Sequence, residues 1–322
     1  MDRESSLVKI LCGVFEDSHT PFSRAEFWKI YHKNNDSIEK LLECGDERID
    51  KLLGRSGSSA FSEERLKDMG IRIVTFLDED FPNRLYQKLG DFCPPIFYMC
   101  GSSNLLKYRS SGYVGSRTIE ERDIQWTRQA VLKNISDGFG IVSGGAKGID
   151  SVAMECALDN GSVVITYLAD NMTSKIKDKY CRDHIMNGRL LMLSHVSPFA
   201  PKARHTFVAS AMERNKFIYA QSAGTVVVRS DLNKGGTWSG ATETLRHKWA
   251  PVFVWANKEY AGNLKLIEMG AIPLSDNGKI VRSLDGDTKK VGSVNDDGRV
   301  AEDKTEYKQL SLFSDIEKLA LV

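Results

Sequence analysis

The chain predicts an α/β fold: a doubly wound, mostly parallel sheet, preceded by a small helical domain and followed by a flexible tail. Three observations carry that expectation. From Gly70 onward, short apolar runs alternate with longer amphipathic stretches, as when parallel strands are covered by crossover helices. Glycine-rich turns stand soon after three of those runs, where such a sheet takes its ligands. Residues 1–68, by contrast, read as helices.

In the first region Phe22, Phe27, Ile30 and Tyr31 fall near helical spacing, as do Ile38, Leu41 and Leu42. Thr20-Pro21 marks a helix start. Arg55-Ser56-Gly57-Ser58-Ser59 is expected to be a loop. The sheet domain is placed at 69–282, with strands at 71–76, 96–99, 113–115, 140–143, 163–168, 190–193, 225–229 and 252–255. Helices are expected at 81–89, 119–136, 149–160, 174–187, 206–221 and 238–248. Residues 283–308 are polar, with Gly286, Gly292 and Gly298, and read as a flexible linker before a short apolar tail that ends the third segment, 283–322.

The bulk composition narrows the function classes. A chain of 322 residues, 41% apolar, has enough material for a real core. It has no apolar run long enough to span a membrane and no cleavable apolar leader, so a cytoplasmic location is expected. The six cysteines are scattered without a CxxC pair, which argues for reduced thiols rather than zinc or disulfides. His19, His32, His184, His195, His205 and His247 are isolated, and no HExxH or GxSxG pattern occurs. No catalytic residue, metal or cofactor is therefore expected. Net charge is only +1, but residues 107–282 hold 24 Lys/Arg against 16 Asp/Glu. The flanks hold 14 against 18 before that stretch and 6 against 9 after it. A basic middle between acidic ends suits a phosphate-binding core.

The motifs lie in that basic middle. Gly115-Ser116-Arg117 follows a strand and precedes a long helix. It reads either as a phosphate grip, through open backbone, hydroxyl and guanidinium, or as a tight turn with a solvated arginine. Ser143-Gly144-Gly145-Ala146-Lys147-Gly148-Ile149-Asp150 sits in the same context. It reads as an anion-binding loop, with Asp150 expected to cap the next helix, and it lacks the Walker A and GxGxxG spacings. Gly235-Gly236-Thr237-Trp238 is a third glycine turn. Three such turns on one sheet edge make a continuous rim, which favours a polymeric anion. Basic residues near it include Lys175, Lys177, Lys179, Arg182, Lys202, Arg204, Arg214 and Lys216. Among the interleaved aromatics, Phe217 and Tyr219 read as core, whereas Phe199 is a candidate base platform. Gln309-Leu310-Ser311-Leu312-Phe313 matches a pentapeptide type that docks on the bacterial sliding clamp, with Gln309, Leu310, Leu312 and Phe313 as anchors. The same residues also fit a short amphipathic helix packed on the body.

In this order the motifs resemble the DprA/Smf family, over about residues 70–274. The resemblance runs from Gly70-Ile71-Arg72-Ile73-Val74, Asp80-Phe81-Pro82 and Pro94-Pro95-Ile96-Phe97-Tyr98 through the first two glycine turns. It continues with Arg214-Asn215-Lys216 and Gly235-Gly236-Thr237 to Gly262-Asn263-Leu264-Lys265-Leu266 and Gly270-Ala271. It implies an extended Rossmann-like fold, single-stranded DNA as ligand, a homodimer and a RecA-like recombinase as partner in natural transformation. It implies that Arg117, Lys147, Arg214 and Lys216 contact phosphates, and that the glycines shape the groove. The chain departs from the family's pattern at Lys216, where arginine is usual, and at Arg229-Ser230, where glutamate is usual. No C-terminal winged helix is evident. A rival reading is a nucleotide sensor or LOG-like phosphoribohydrolase, echoed by Gly235-Gly236-Thr237 and Glu243, in a defence or mobile-element setting.

Overall fold

The computed structural model describes residues 3–200 and 204–278. The tail and its Gln309-Leu310-Ser311-Leu312-Phe313 motif lie outside the described residues, as does Lys202. The first helices are α1 (Arg3–Cys12), α2 (Arg24–Lys33), α3 (Ile38–Glu43), α4 (Glu47–Leu53) and α5 (Ser56–Asp68). The second of these starts three residues beyond Pro21, because Ser23 and Glu26 form a reciprocal capping box. The expected loop at Arg55 is instead the entry to α5. Arg55 is buried and anchors that entry: it donates to the Gly13 carbonyl and lies over the Phe15 ring at 4.7 Å. Serine and glycine in the next positions are tolerated because the first turn of a helix needs few intrahelical bonds.

The sheet strands are β1 (Ile71–Thr75), β2 (Ile96–Cys100), β3 (Ser110–Val114), β4 (Gly140–Ser143), β5 (Val164–Leu168), β6 (Leu190–Ser194), β7 (Gly224–Val227), β8 (Val252–Trp255) and β9 (Ile272–Leu274). Their spatial order is β1-β2-β6-β5-β4-β3-β7-β8-β9. The two junctions β1–β2 and β2–β6 are antiparallel and the rest are parallel. This is the expected doubly wound, mostly parallel sheet. Alternate residues of each inner strand feed two cores. Ile141 and Val164 pack on one face and Val142 and Ile165 on the other.

The remaining helices are α6 (Asn83–Leu89), α7 (Glu121–Ser136), α8 (Ile149–Asp159), α9 (Thr173–Lys177), α10 (Lys179–Met186), α11 (Arg204–Gln221), α12 (Gly235–His247) and α13 (Ala261–Glu268). The single helix expected at 174–187 is broken at Asp178, whose carboxylate accepts from Cys181 N at 2.9 Å and starts a new helix. The helical region and the sheet share contacts. The Trp28 indole donates to the Cys93 carbonyl at 2.7 Å, and Val8, Leu11 and Leu66 join the core that holds Ile71 and Ile73. Among the described residues no helix is long and apolar enough to cross a membrane.

Candidate nucleic-acid interface

The strand order creates the site. From β3 the chain lays β4, β5 and β6 on one side, then returns to lay β7, β8 and β9 on the other. At such a reversal the following helices leave on opposite faces and open a crevice above the strand ends. A groove of about 590 Å³ lies there. One wall is Gly115, Ser116, Arg117 and Thr118, after β3; another is Lys234, Gly235, Gly236 and Thr237, at the start of α12. Val208, Ala211, Met212, Arg214 and Asn215 of α11 close it. A second groove of about 320 Å³ sits over β4 and β5, lined by Gly144, Gly145, Lys147, Asp170 and Lys175. Arg117, Ala146 and Arg214 line both, so the two grooves join.

Beneath the junction lies a buried ion pair. The Arg214 guanidinium meets the Asp150 carboxylate at 3.2 Å, and both side chains are less than a tenth exposed. Asp150 does not cap α8. It sits inside the first turn and reaches back, accepting from Gly144 N at 3.2 Å and Ala146 N at 3.4 Å. Burial raises the Asp150 carboxyl, and the Arg214 charge opposes that rise. Burial also lowers the Arg214 guanidinium. The loop after β4 is thus pinned from below, and two of its N–H groups are spent on Asp150 rather than aimed outward.

The glycines explain how this fits. A Cβ on Gly144 would fall 0.8 Å from the Arg214 guanidinium, so only glycine lets the arginine lie there. Gly148 has φ +86, and a Cβ on it would meet the Ser116 carbonyl at 2.3 Å. Gly148→Ala is therefore expected to lower stability by about 1–3 kcal/mol. Thermal unfolding measures this, and an unchanged midpoint would show that the two turns are not locked together.

Other expected site residues divide between rim and interior. Ser143 points inward, donating to the Tyr113 carbonyl at 2.8 Å. Ser116 shapes its own turn by accepting from Thr118 N at 3.1 Å. Asn215 ties α11 to α12, its amide donating to the Gly236 carbonyl at 2.9 Å. Gly235, Gly236 and Thr237 lie within the first turn of α12, not before it. Lys216 faces away from both grooves: it pairs with Glu243 at 2.7 Å and stands 4.8 Å from the Phe92 ring centre. Phe199, expected as a base platform, is half-buried against the core, with Arg65 over its ring. Phe217 and Tyr219 are fully buried, as expected. Arg229 joins Glu120 and Asp123, each at 3.0 Å, and so braces the start of α7.

Lys234 and the apolar pair Val208 and Met212 also line the groove, and none of the three is among the site residues expected from the sequence. Lys234 stands just before the glycine pair, a position that signals a rim cation. Val208 and Met212 are exposed, and nothing in a helical pattern separates them from core residues. Among the described residues no cluster of three or more His, Cys, Asp or Glu is placed to hold a metal ion.

Fold and site together define a doubly wound α/β protein with a basic, branched groove at its switch point. The family model of the DNA recombination-mediator protein A matches residues 72–285. The chain belongs to that family. It is similar to the DNA processing protein DprA of Streptococcus pneumoniae, 26% identical over 219 residues, which cover 62% of this chain and 75% of that protein. It is also similar to Protein Smf of Synechocystis, 27% identical over 276 residues, or 76% of this chain and 66% of that protein. Among solved structures, Streptococcus pneumoniae DprA superposes with a TM-score of 0.58 at 20% identity, covering 79% of this chain and 95% of that one. DNA processing protein A of Helicobacter pylori, solved for its single-stranded DNA binding mode, gives 0.51 at 24%, covering 64% and 92%. At that identity the superpositions speak for the fold.

Proposed function

We propose that this chain binds single-stranded DNA along the joined grooves and presents it to a RecA-like recombinase, in recombination or natural transformation. The observation that carries this reading is the continuity of the groove. It runs over β7, β3, β4 and β5, with Arg117, Lys147, Lys175 and Lys234 exposed around it. Spread cations over a path several strands wide suit a row of phosphates better than one nucleotide. Family membership and the Helicobacter relative support the same ligand. Homodimerisation and sliding-clamp docking through Gln309-Leu310-Ser311-Leu312-Phe313 belong to this proposal on the strength of the sequence alone.

Of the residues behind the nucleotide-hydrolase reading, Gly235, Gly236 and Thr237 line the groove, but the glutamate does not. Glu243 is held by Lys216 and is not among the residues lining the grooves. A competition experiment tests the choice. A labelled mixed-sequence oligonucleotide is expected to stay bound in a large excess of mononucleotide. Displacement by the mononucleotide, or release of free base from it, would support the hydrolase instead.

A further inference from the structure

The sheet has an end that the DNA groove does not use. β1 pairs with β2 on one side and, among the described residues, with no strand on the other. The hydrogen bonds show which groups are left. Phe76 N donates to the Pro95 carbonyl at 3.0 Å, toward β2, whereas Thr75 N donates to the Asp78 carboxylate at 2.7 Å. In an antiparallel strand a residue's N–H and C=O point to the same side, and the side alternates. Arg72 and Val74 therefore face β2, and Ile71 and Ile73 face outward. Asp78 serves Thr75, which leaves two outward residues. They open on a groove of about 780 Å³ between α5 and the turn at 78–80.

Among the described residues no strand covers this edge. It has no proline and one charged residue, Arg72, which is turned to Asp80 at 3.0 Å. Natural sheets cover or blunt such edges. A second copy fits it poorly. Pairing Ile71 with Ile73 of the copy sets Arg72 against Arg72, and like charges directly opposite repel. Moving the axis to Ile73 demands the Thr75 N–H that Asp78 holds.

We propose that the chain's own segment Lys308-Gln309-Leu310-Ser311-Leu312-Phe313 adds as a strand to the free edge of β1. From Gln309 to Leu312 apolar and polar residues alternate at the period of a strand, with Leu310 and Leu312 on one face, Lys308 at the end of that face, and Phe313 on the other. The leucine face continues the core side of Ile71 and Ile73. The groove walls hold five carboxylates, Glu63, Glu64, Asp78, Glu79 and Asp80, against three cations, Lys9, Lys67 and Arg72, and Lys304 and Lys308 bring positive charge to that acidic excess. The reach suffices. Twenty-nine residues separate Gly278 from Lys308. A coil of that length spans ~30 Å on average and ~95 Å at full stretch. Eight strand spacings, from β9 to β1, make ~38 Å. Tethering then supplies an effective concentration that a free peptide lacks. Because this is also the clamp-type peptide, an outside partner must first draw it off β1.

Amide hydrogen exchange tests the proposal in the full-length protein. The comparison is with Leu310→Pro/Leu312→Pro, which removes two N–H groups from the added strand and leaves the described body untouched. The Ile71 and Ile73 amides are expected to exchange at least about tenfold faster in the variant, with Val74 unchanged. A synthetic peptide of residues 304–314 is expected to restore slow exchange to the variant. Protection in the intact chain is expected to be independent of protein concentration. Equal exchange in the two proteins, or no effect of the peptide, overturns the proposal. Protection that fades on dilution overturns the assignment to the chain's own tail.

Discussion

Arg214→Ala is expected to cost about 3–5 kcal/mol of folding stability, more than any substitution on the rim. The guanidinium is buried under Gly144 and holds the Asp150 carboxylate. Removing it leaves a buried carboxylate without its partner and a hole beside the loop. The loss has a definite pH dependence. Burial already raises the Asp150 carboxyl, and Arg214 is the largest influence opposing that rise. In the variant the folded carboxyl rises further above its value in the unfolded chain. The folded state then binds the proton more tightly, so stability falls as pH climbs from the unfolded value near ~4 through the raised folded value, and levels off above it. Urea midpoints should show a smaller gap between variant and parent at pH 5 than at pH 8. Arg214→Lys should fall between, since lysine keeps the charge and loses the fork. A variant with full stability and weakened DNA binding would instead place Arg214 on a phosphate.

The second large effect falls on the exposed rim. Arg117→Ala and Lys147→Ala should each weaken single-stranded DNA binding roughly tenfold, about 1.4 kcal/mol, with little change in melting temperature. Each should also make the slope of log affinity against log salt shallower by about 0.7, the counterion share of one lost phosphate contact. Lys216→Ala is the control. Its ammonium is engaged with Glu243 and faces away from the grooves, so binding and slope should stay as they are. Equal losses at Lys216 and Arg117 would contradict the placement of the rim.

The contrast between Arg214 and Lys216 shows where sequence reading stops. The family resemblance implies phosphate contacts at both. Two residues apart on a helix are ~200° apart around its axis, so they cannot both face one groove. Which of them turns inward depends on where α11 packs, and that is a tertiary fact. Asp150 is similar. A carboxylate near a helix start reads as a cap, but the loop ahead of it folds back and offers Gly144 N and Ala146 N instead. The strand and helix alternation was legible because buried parallel strands are nearly all apolar, as in Val142 and Leu191. The core roles of Phe217 and Tyr219 were legible because large aromatic rings carry apolar area that a helix lying on a sheet buries. β9, with three residues, left too short a run to detect, and Arg55 gave no local sign that it would be buried.

The most direct test of the account is a fluorescence anisotropy titration of the intact protein with a labelled mixed-sequence single strand across a salt series. With Arg117, Lys147, Lys175 and Lys234 around the groove, log affinity is expected to fall with log salt at a slope near −3, with little base preference. No binding at low salt, or binding indifferent to salt, would contradict the claim that the grooves hold a DNA strand.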